Sequence, residues 1–167
     1  VARVGTLKTF TSNAPEATFA LGQSLGASLL EFDFVGLSGQ LGAGKTQFSR
    51  GVADGAGVPL DDVSSPTYSI VQSYSGRLTL HHADLYRLTG EGDLFATGYF
   101  DLLESPGAML VEWIDHVASA APDDALRLTL SVTSPTTRVI EARSTGPRSD
   151  ALLARWLSAA GTQSTAG

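Results

Sequence analysis
The residues best suited to chemistry are Gly39-Gln40-Leu41-Gly42-Ala43-Gly44-Lys45-Thr46, which fit the phosphate-binding pattern G-x-x-x-x-G-K-[ST]. Glycines at the fixed positions let a backbone wrap around phosphate where a Cβ would clash. Consecutive amides then point inward, and a helix N-terminus behind them adds partial positive charge. Gly39, Leu41, Gly42, Ala43, Gly44, Lys45 and Thr46 are therefore the candidate nucleotide contacts. In such a loop the lysine bridges the β- and γ-phosphates and the hydroxyl ligates Mg²⁺, the roles expected of Lys45 and Thr46. The chain's lysines are Lys8 and Lys45, and one of them fills the required slot. The competing explanation is a glycine-rich turn that caps a helix.

Hydrolysis would also need a held metal and an aimed water. Glu112 follows the apolar run Ala108-Met109-Leu110-Val111, the pattern of a strand that delivers an acid beside the loop. Ligands of open α/β sheets sit at the carboxyl ends of strands, so a parallel pairing of 34–38 with 108–111 would bring Glu112 to the edge where Thr46 starts. Thr46 and Glu112 are thus the expected metal ligands, and Lys45, Asp84 and Glu112 the expected catalytic groups. Asp84 also ends a strand; it would hold a metal-bound water, orient the attacking one, or form a structural pair with Arg87 or Arg77. Thr67, after Pro66, is a candidate sensor of the γ-phosphate. His81 and His82 are adjacent, so on a strand their rings point to opposite faces, and one packed and one exposed imidazole is expected rather than a joint metal site. Trp113 is expected as core or pocket wall. No N-K-x-D guanine reader exists, because the only asparagine is Asn13, which favours ATP over GTP.

The elements that would position these groups follow from local patterning. Residues 1–11 alternate and predict a strand at a sheet edge. Ser12 or Asn13 would cap a helix with Pro15 in its first turn and an apolar stripe through Phe19, Leu21, Leu25, Leu29 and Leu30. Residues 32–38 predict a buried strand and 46–56 a helix stopped before Pro59. Strands over 69–74 and 77–83 form a hairpin around Ser75-Gly76, and 89–98 predict a short helix with Leu94 and Phe95 facing inward. Residues 114–121 suggest a helical turn. Strands over 125–132 and 137–144 pair antiparallel across Ser134-Pro135, and 150–160 predict an amphipathic closing helix. Residues 161–167, small and polar, are expected to fray. The whole predicts one α/β domain over residues 1–160, a P-loop NTPase-like unit with a mixed central sheet flanked by helices.

Composition bounds the function classes. Hydrophobic content of 43% and charged content of 17% fit a globular protein. A formal charge of −6 argues against unaided binding to a nucleic-acid backbone or an anionic membrane. The absence of cysteine excludes disulfides, thiolate catalysis and cysteine-ligated zinc. No apolar run approaches the ~20 residues needed to span a bilayer, and no signal peptide is visible at Val1 onward, so a cytoplasmic location is expected.

The motifs in combination resemble a known family. Leu41-Gly42-Ala43-Gly44-Lys45-Thr46, Ser49-Arg50-Gly51, Ser65-Pro66-Thr67-Tyr68, His82-Ala83-Asp84-Leu85-Tyr86-Arg87-Leu88 and Val111-Glu112-Trp113 are similar, in order and spacing, to those of the TsaE (YjeE) family. The resemblance spans roughly residues 14–116 and implies an ATPase of threonylcarbamoyladenosine (t6A) tRNA modification. It implies slow Mg²⁺-dependent ATP hydrolysis, action with TsaB and TsaD, and contact with tRNA only through that complex. Two departures stand out: Glu91-Gly92-Asp93-Leu94 replaces a more acidic stretch, implying a shorter or shifted helix, and Ala83 stands where family members often carry an aromatic. The loop at residues 11–15 is the expected contributor to an adenine pocket. The alternatives are a small-molecule kinase, which would need an arginine-rich lid that Arg50 and Arg87 do not supply, and a nucleotide-sensing adaptor without hydrolysis.

Overall fold
Seven strands form one sheet in the order β1-β7-β6-β2-β5-β4-β3 in the computed structural model, which describes residues 5–63 and 70–164. The strands are β1 (Leu7–Ser12), β2 (Phe34–Gly39), β3 (Val71–Ser75), β4 (Thr79–Asp84), β5 (Ala108–Glu112), β6 (Leu126–Val132) and β7 (Arg138–Ser144). The four central strands β6, β2, β5 and β4 are mutually parallel, and antiparallel pairs β6–β7–β1 and β4–β3 close the two sides. The sheet is therefore mixed, with the amino-terminal strand at an edge as expected. Thr67 and the rest of Ser65-Pro66-Thr67-Tyr68 lie outside the described residues.

Each face of the sheet carries its own core. On one face Val35, Leu37, Leu80, Leu110, Leu128 and Ile140 pack under helices α1 (Pro15–Ser28), α2 (Lys45–Gly55) and α5 (Pro147–Ser164). On the other, Phe34, Ala83, Met109 and Val111 pack under α3 (Glu91–Phe95), α4 (Tyr99–Leu103) and two short 3₁₀ turns, Ile114–His116 and Ala118–Ala120. Strand β5 is buried along its whole length, as a central parallel strand covered on both faces must be.

Helices α1 and α2 touch through backbone rather than through large side chains. A Cβ added at Gly22 would lie 2.3 Å from the Phe48 carbonyl oxygen, and one at Gly26 would lie 2.0 Å from that of Val52. From the other side, a Cβ at Gly51 would lie 2.2 Å from the Phe19 carbonyl oxygen. This close approach replaces the apolar stripe expected for α1: Leu25 and Leu29 are buried, but Leu30 is 52% exposed and the rest of the buried face is Thr18, Gly22, Ser24, Gly26 and Ser28. Trp156 of α5 completes the layer, stacking on Phe10 with ring centroids 4.1 Å apart and donating from Nε1 to the Leu21 carbonyl at 3.0 Å.

Several boundaries differ from the sequence expectation for physical reasons. The N-cap of α1 is Ala14 without a side-chain cap; Ser12 instead turns inward to share a 2.6 Å hydrogen bond with Thr18. Phe95 is 74% exposed rather than inward-facing, because α3 is too short to bury more than Leu94. The second half of that connection forms a separate helix, α4, anchored by the Tyr99 hydroxyl donating to the Ala120 carbonyl at 2.7 Å. Helix α5 begins before Asp150 because the Asp124 carboxylate accepts from the Arg148 and Ser149 amides, and it runs on to Ser164. No helix among the described residues is long and apolar enough to cross a membrane.

The glycine contact is testable. Gly51→Ala must push α1 and α2 apart and is expected to lose about 1–3 kcal/mol in urea unfolding, the usual cost of overpacking. Gly92→Ala, whose new methyl group meets nothing within 4 Å, is the control and is expected to be neutral or stabilising.

Candidate functional site
The loop between β2 and α2 takes the backbone path its glycines permit. Gly42 and Gly44 have φ of 83° and 99°, left-handed values that strain any residue with a side chain. Gly44 caps α2 without a side-chain hydrogen bond to the first-turn amides. Those amides and the helix dipole make this the end of α2 suited to an anion.

Register brings the acids to this loop. Strand β5 pairs parallel with β2 so that Glu112 lies opposite Leu37, and β4 pairs parallel with β5 so that Asp84 lies opposite Glu112. Strands β4 and β5 therefore end level, at Asp84 and Glu112, beside the end of β2, which runs two residues further to Gly39 and into the loop before α2. Lys45, Thr46, Asp84 and Glu112 line one cleft of about 400 Å³, together with Leu41, Gly42, Gly44 and Gln47 from the loop and Tyr86 and Trp113 from the far wall. Of the remaining loop candidates, Ala43 is packed into the core, and Gly39 contributes its carbonyl from behind.

Acidic side chains outnumber basic ones in the cleft, where Lys45 faces Asp84 and Glu112. Lys45 is buried, and its Nζ donates to the Gly39 and Gln40 carbonyls at 2.6 and 2.8 Å while sitting 4.0 Å from the centroid of the Trp113 ring. Burial lowers its pKa, against the opposing pull of Glu112, Asp115 and Asp84. Burial raises the pKa of Asp84; neighbouring Glu112 adds to this, and the Tyr86 amide, His82 and Lys45 oppose it. Asp84 Oδ1 accepts from the Tyr86 amide at 3.0 Å. Arg77, one of the partners considered for Asp84, instead donates to the Gly26 carbonyl at 3.0 Å.

Two features were not expected from sequence. Both histidines of the adjacent pair are buried, His81 at 4% and His82 at 5% exposure, because β3 covers β4 on its outer side and cores lie on both faces. His81 is held by the Ser73 hydroxyl at 2.7 Å and the Pro106 carbonyl at 3.0 Å. His82 Nε2 lies 2.6 Å from Glu112 Oε2. The available signal was the spacing of His82 and Asp84, two residues apart and hence on one strand face. Trp113 lines the cleft as expected of a pocket wall, and the second unexpected feature is its backbone, at φ 58° and ψ 41° immediately after Glu112, a left-handed conformation uncommon for an aromatic residue. Its ring lies 4.9 Å from Tyr86 and 5.0 Å from His116, forming an aromatic wall.

A second cleft, of about 320 Å³, lies on the other side of the loop. It meets Gly44 and Gln47 and is walled by Ala14, Pro15 and Thr18 on one side and Pro135, Thr136 and Arg138 on the other. Arg138 Nη2 donates to the Gly42 carbonyl at 3.5 Å, tying the β6–β7 turn to the loop.

Comparison with known proteins is consistent with this arrangement. The family model described as "Threonylcarbamoyl adenosine biosynthesis protein TsaE" matches residues 12–140, which contain strands β2 to β6, the loop and both acids. The chain belongs to the TsaE family. It is 36% identical to the tRNA threonylcarbamoyladenosine biosynthesis protein TsaE of Treponema pallidum over 77% of this chain and 95% of that protein. It is likewise 36% identical to the Bacillus subtilis protein of the same name, over 83% of this chain and 86% of that one. The crystal structure of Bacillus subtilis YdiB superposes with a TM-score of 0.78 at 25% identity, covering 93% of this chain and 97% of that one. As the departure from the TsaE pattern at Glu91-Gly92-Asp93-Leu94 implied, α3 is short, five residues long.

Lys45→Ala is expected to weaken ATP binding roughly 10- to 100-fold by calorimetry, since a hydrogen bond to a charged group is worth about 1.5–3 kcal/mol. Unchanged affinity would contradict a phosphate-binding role for the loop.

Proposed function
We propose that this member of the TsaE family binds ATP with Mg²⁺, hydrolyses it, and through that activity supports t6A modification of tRNA together with TsaB and TsaD. The observation that carries this reading is the parallel register of β2, β5 and β4, with Asp84 and Glu112 level at the ends of their strands and across one cleft from Lys45 and Thr46.

The donor set suits the metal. Hydroxyl and carboxylate oxygens favour a hard divalent cation. Among the described residues no group of three or more His, Cys, Asp or Glu side chains forms a metal cage. Magnesium in phosphoryl-transfer sites is held by one or two protein oxygens and completes its shell with substrate phosphates and water, which is what Thr46 and Glu112 would provide. Bound there with ATP, it would neutralise charge developing on the phosphate oxygens.

The chain's own residues do the rest. The loop amides and the start of α2 cradle the β- and γ-phosphates. Lys45 exchanges the Gly39 and Gln40 carbonyls for phosphate oxygens, a favourable trade because an ionised acceptor makes the stronger hydrogen bond. Asp84, at the reacting end and held by the Tyr86 amide, orients the attacking water. Tyr86 and Trp113 wall that end from bulk solvent. The second cleft, flanked by Ala14 and Pro15 and by Pro135 and Thr136, takes the adenine.

Hydrolysis is favoured over the kinase alternative because, among the described residues, no arginine lines the phosphate-side cleft. The −6 charge fits a protein that leaves the tRNA to its partners, and a cytoplasmic location fits that role.

Glu112→Ala and Asp84→Ala are each expected to cut ATP turnover by ~100-fold or more while retaining nucleotide binding. Turnover unchanged in both would contradict the roles given to these acids. Separately, purified TsaB and TsaD are expected to bind this protein and change its ATPase rate. Partners that neither bind nor alter the rate would remove the pathway role while leaving the ATPase intact.

A further inference from the structure
We propose that His82 is a positioning residue for the metal-binding carboxylate: its imidazole holds Glu112 in the orientation that presents the other carboxylate oxygen to the cleft. This rests on the Mg²⁺–ATP reading above and adds a residue to it.

The geometry is specific. His82 and Asp84 are two residues apart on β4 and so share the face turned towards α2, and Asp84 is the register partner of Glu112. His82 Nε2 and Glu112 Oε2 are 2.6 Å apart, and both side chains are buried, at 6% and 7% exposure. An ionised carboxylate can only accept, so Nε2 carries the shared hydrogen. A buried carboxylate without a partner is strongly disfavoured, and Lys45, the lysine that lines this cleft with it, would be required by the phosphates. His82 thus supplies a partner for Oε2 from below, leaving Oε1 as the oxygen open to a ligand.

The imidazole is itself fixed. It is flanked by the Tyr74 ring, 6.4 Å away between centroids, and sits opposite Leu110 in the β4–β5 register. Outer partners of this kind fix the direction of a ligating group, and their loss reduces metal affinity rather than the stability of the fold alone.

The test reads metal binding directly. Mn²⁺ is titrated, with paramagnetic resonance detection, into the protein saturated with a non-hydrolysable ATP analogue. His82→Ala is expected to weaken Mn²⁺ binding 10- to 100-fold, and His82→Gln, whose amide can donate from the place of Nε2, to stay within about three-fold of wild type. Metal-free affinity for the analogue should be unchanged in both. If His82→Ala does not fold, His82→Asn, whose shorter amide cannot reach Glu112, takes its place with the same loss expected. A folded Ala or Asn variant that binds Mn²⁺ as tightly as wild type overturns the proposal, as does a folded Gln variant that loses as much as Ala. A wild-type protein that binds no metal–nucleotide at all overturns the underlying ATPase reading, and this proposal with it.

Discussion
A parallel pairing three strands wide governs everything at the candidate site. Leu37, Glu112 and Asp84 lie side by side in β2, β5 and β4, so the two acids end their strands together beside the strand that leads into the loop. Side chains alternate along a strand, and a slip of one residue would send both acids to the opposite face, among Phe34, Met109 and Val111. The core prevents that slip. Leu80 and Leu110 on one face, and Ala83 and Val111 on the other, are buried in separate clusters that no shifted register could satisfy. The position of two carboxylates is thus determined by apolar residues that carry none of the site's chemistry.

The same economy applies to the loop. Its position depends on how close α2 comes to α1, and that distance is set by Gly22, Gly26, Gly51 and Gly55, where backbone meets backbone. Trp156 and Phe10 close the layer behind. The cleft concentrates burial and charge in return. Lys45 is held by two carbonyls and the face of Trp113, Glu112 by His82, and Asp84 by a main-chain amide. Trp113 reaches its place only through a left-handed backbone, a local strain of the kind that collects at functional sites.

Much of this was legible in sequence because its signals are local. The P-loop pattern, the apolar run ending at Glu112 and the alternation through Leu126, Leu128 and Leu130 each specify an element without reference to the rest of the chain. What could not be read is tertiary. That Leu30 and Phe95 stay exposed depends on where α1 ends and how short α3 is. The early start of α5 depends on Asp124, more than twenty residues upstream of the amides it accepts from. His82 was weighed against its chain neighbour His81, whereas its partner is Glu112 on the next strand.

The most direct measurement is a crystal structure with Mn²⁺ and a non-hydrolysable ATP analogue. An anomalous peak between the Thr46 hydroxyl and Glu112, with Lys45 Nζ turned from the Gly39 and Gln40 carbonyls onto the phosphates, is the expected result. Nucleotide bound elsewhere, or bound here with the metal far from Glu112 and Lys45 still on its carbonyls, would contradict the account.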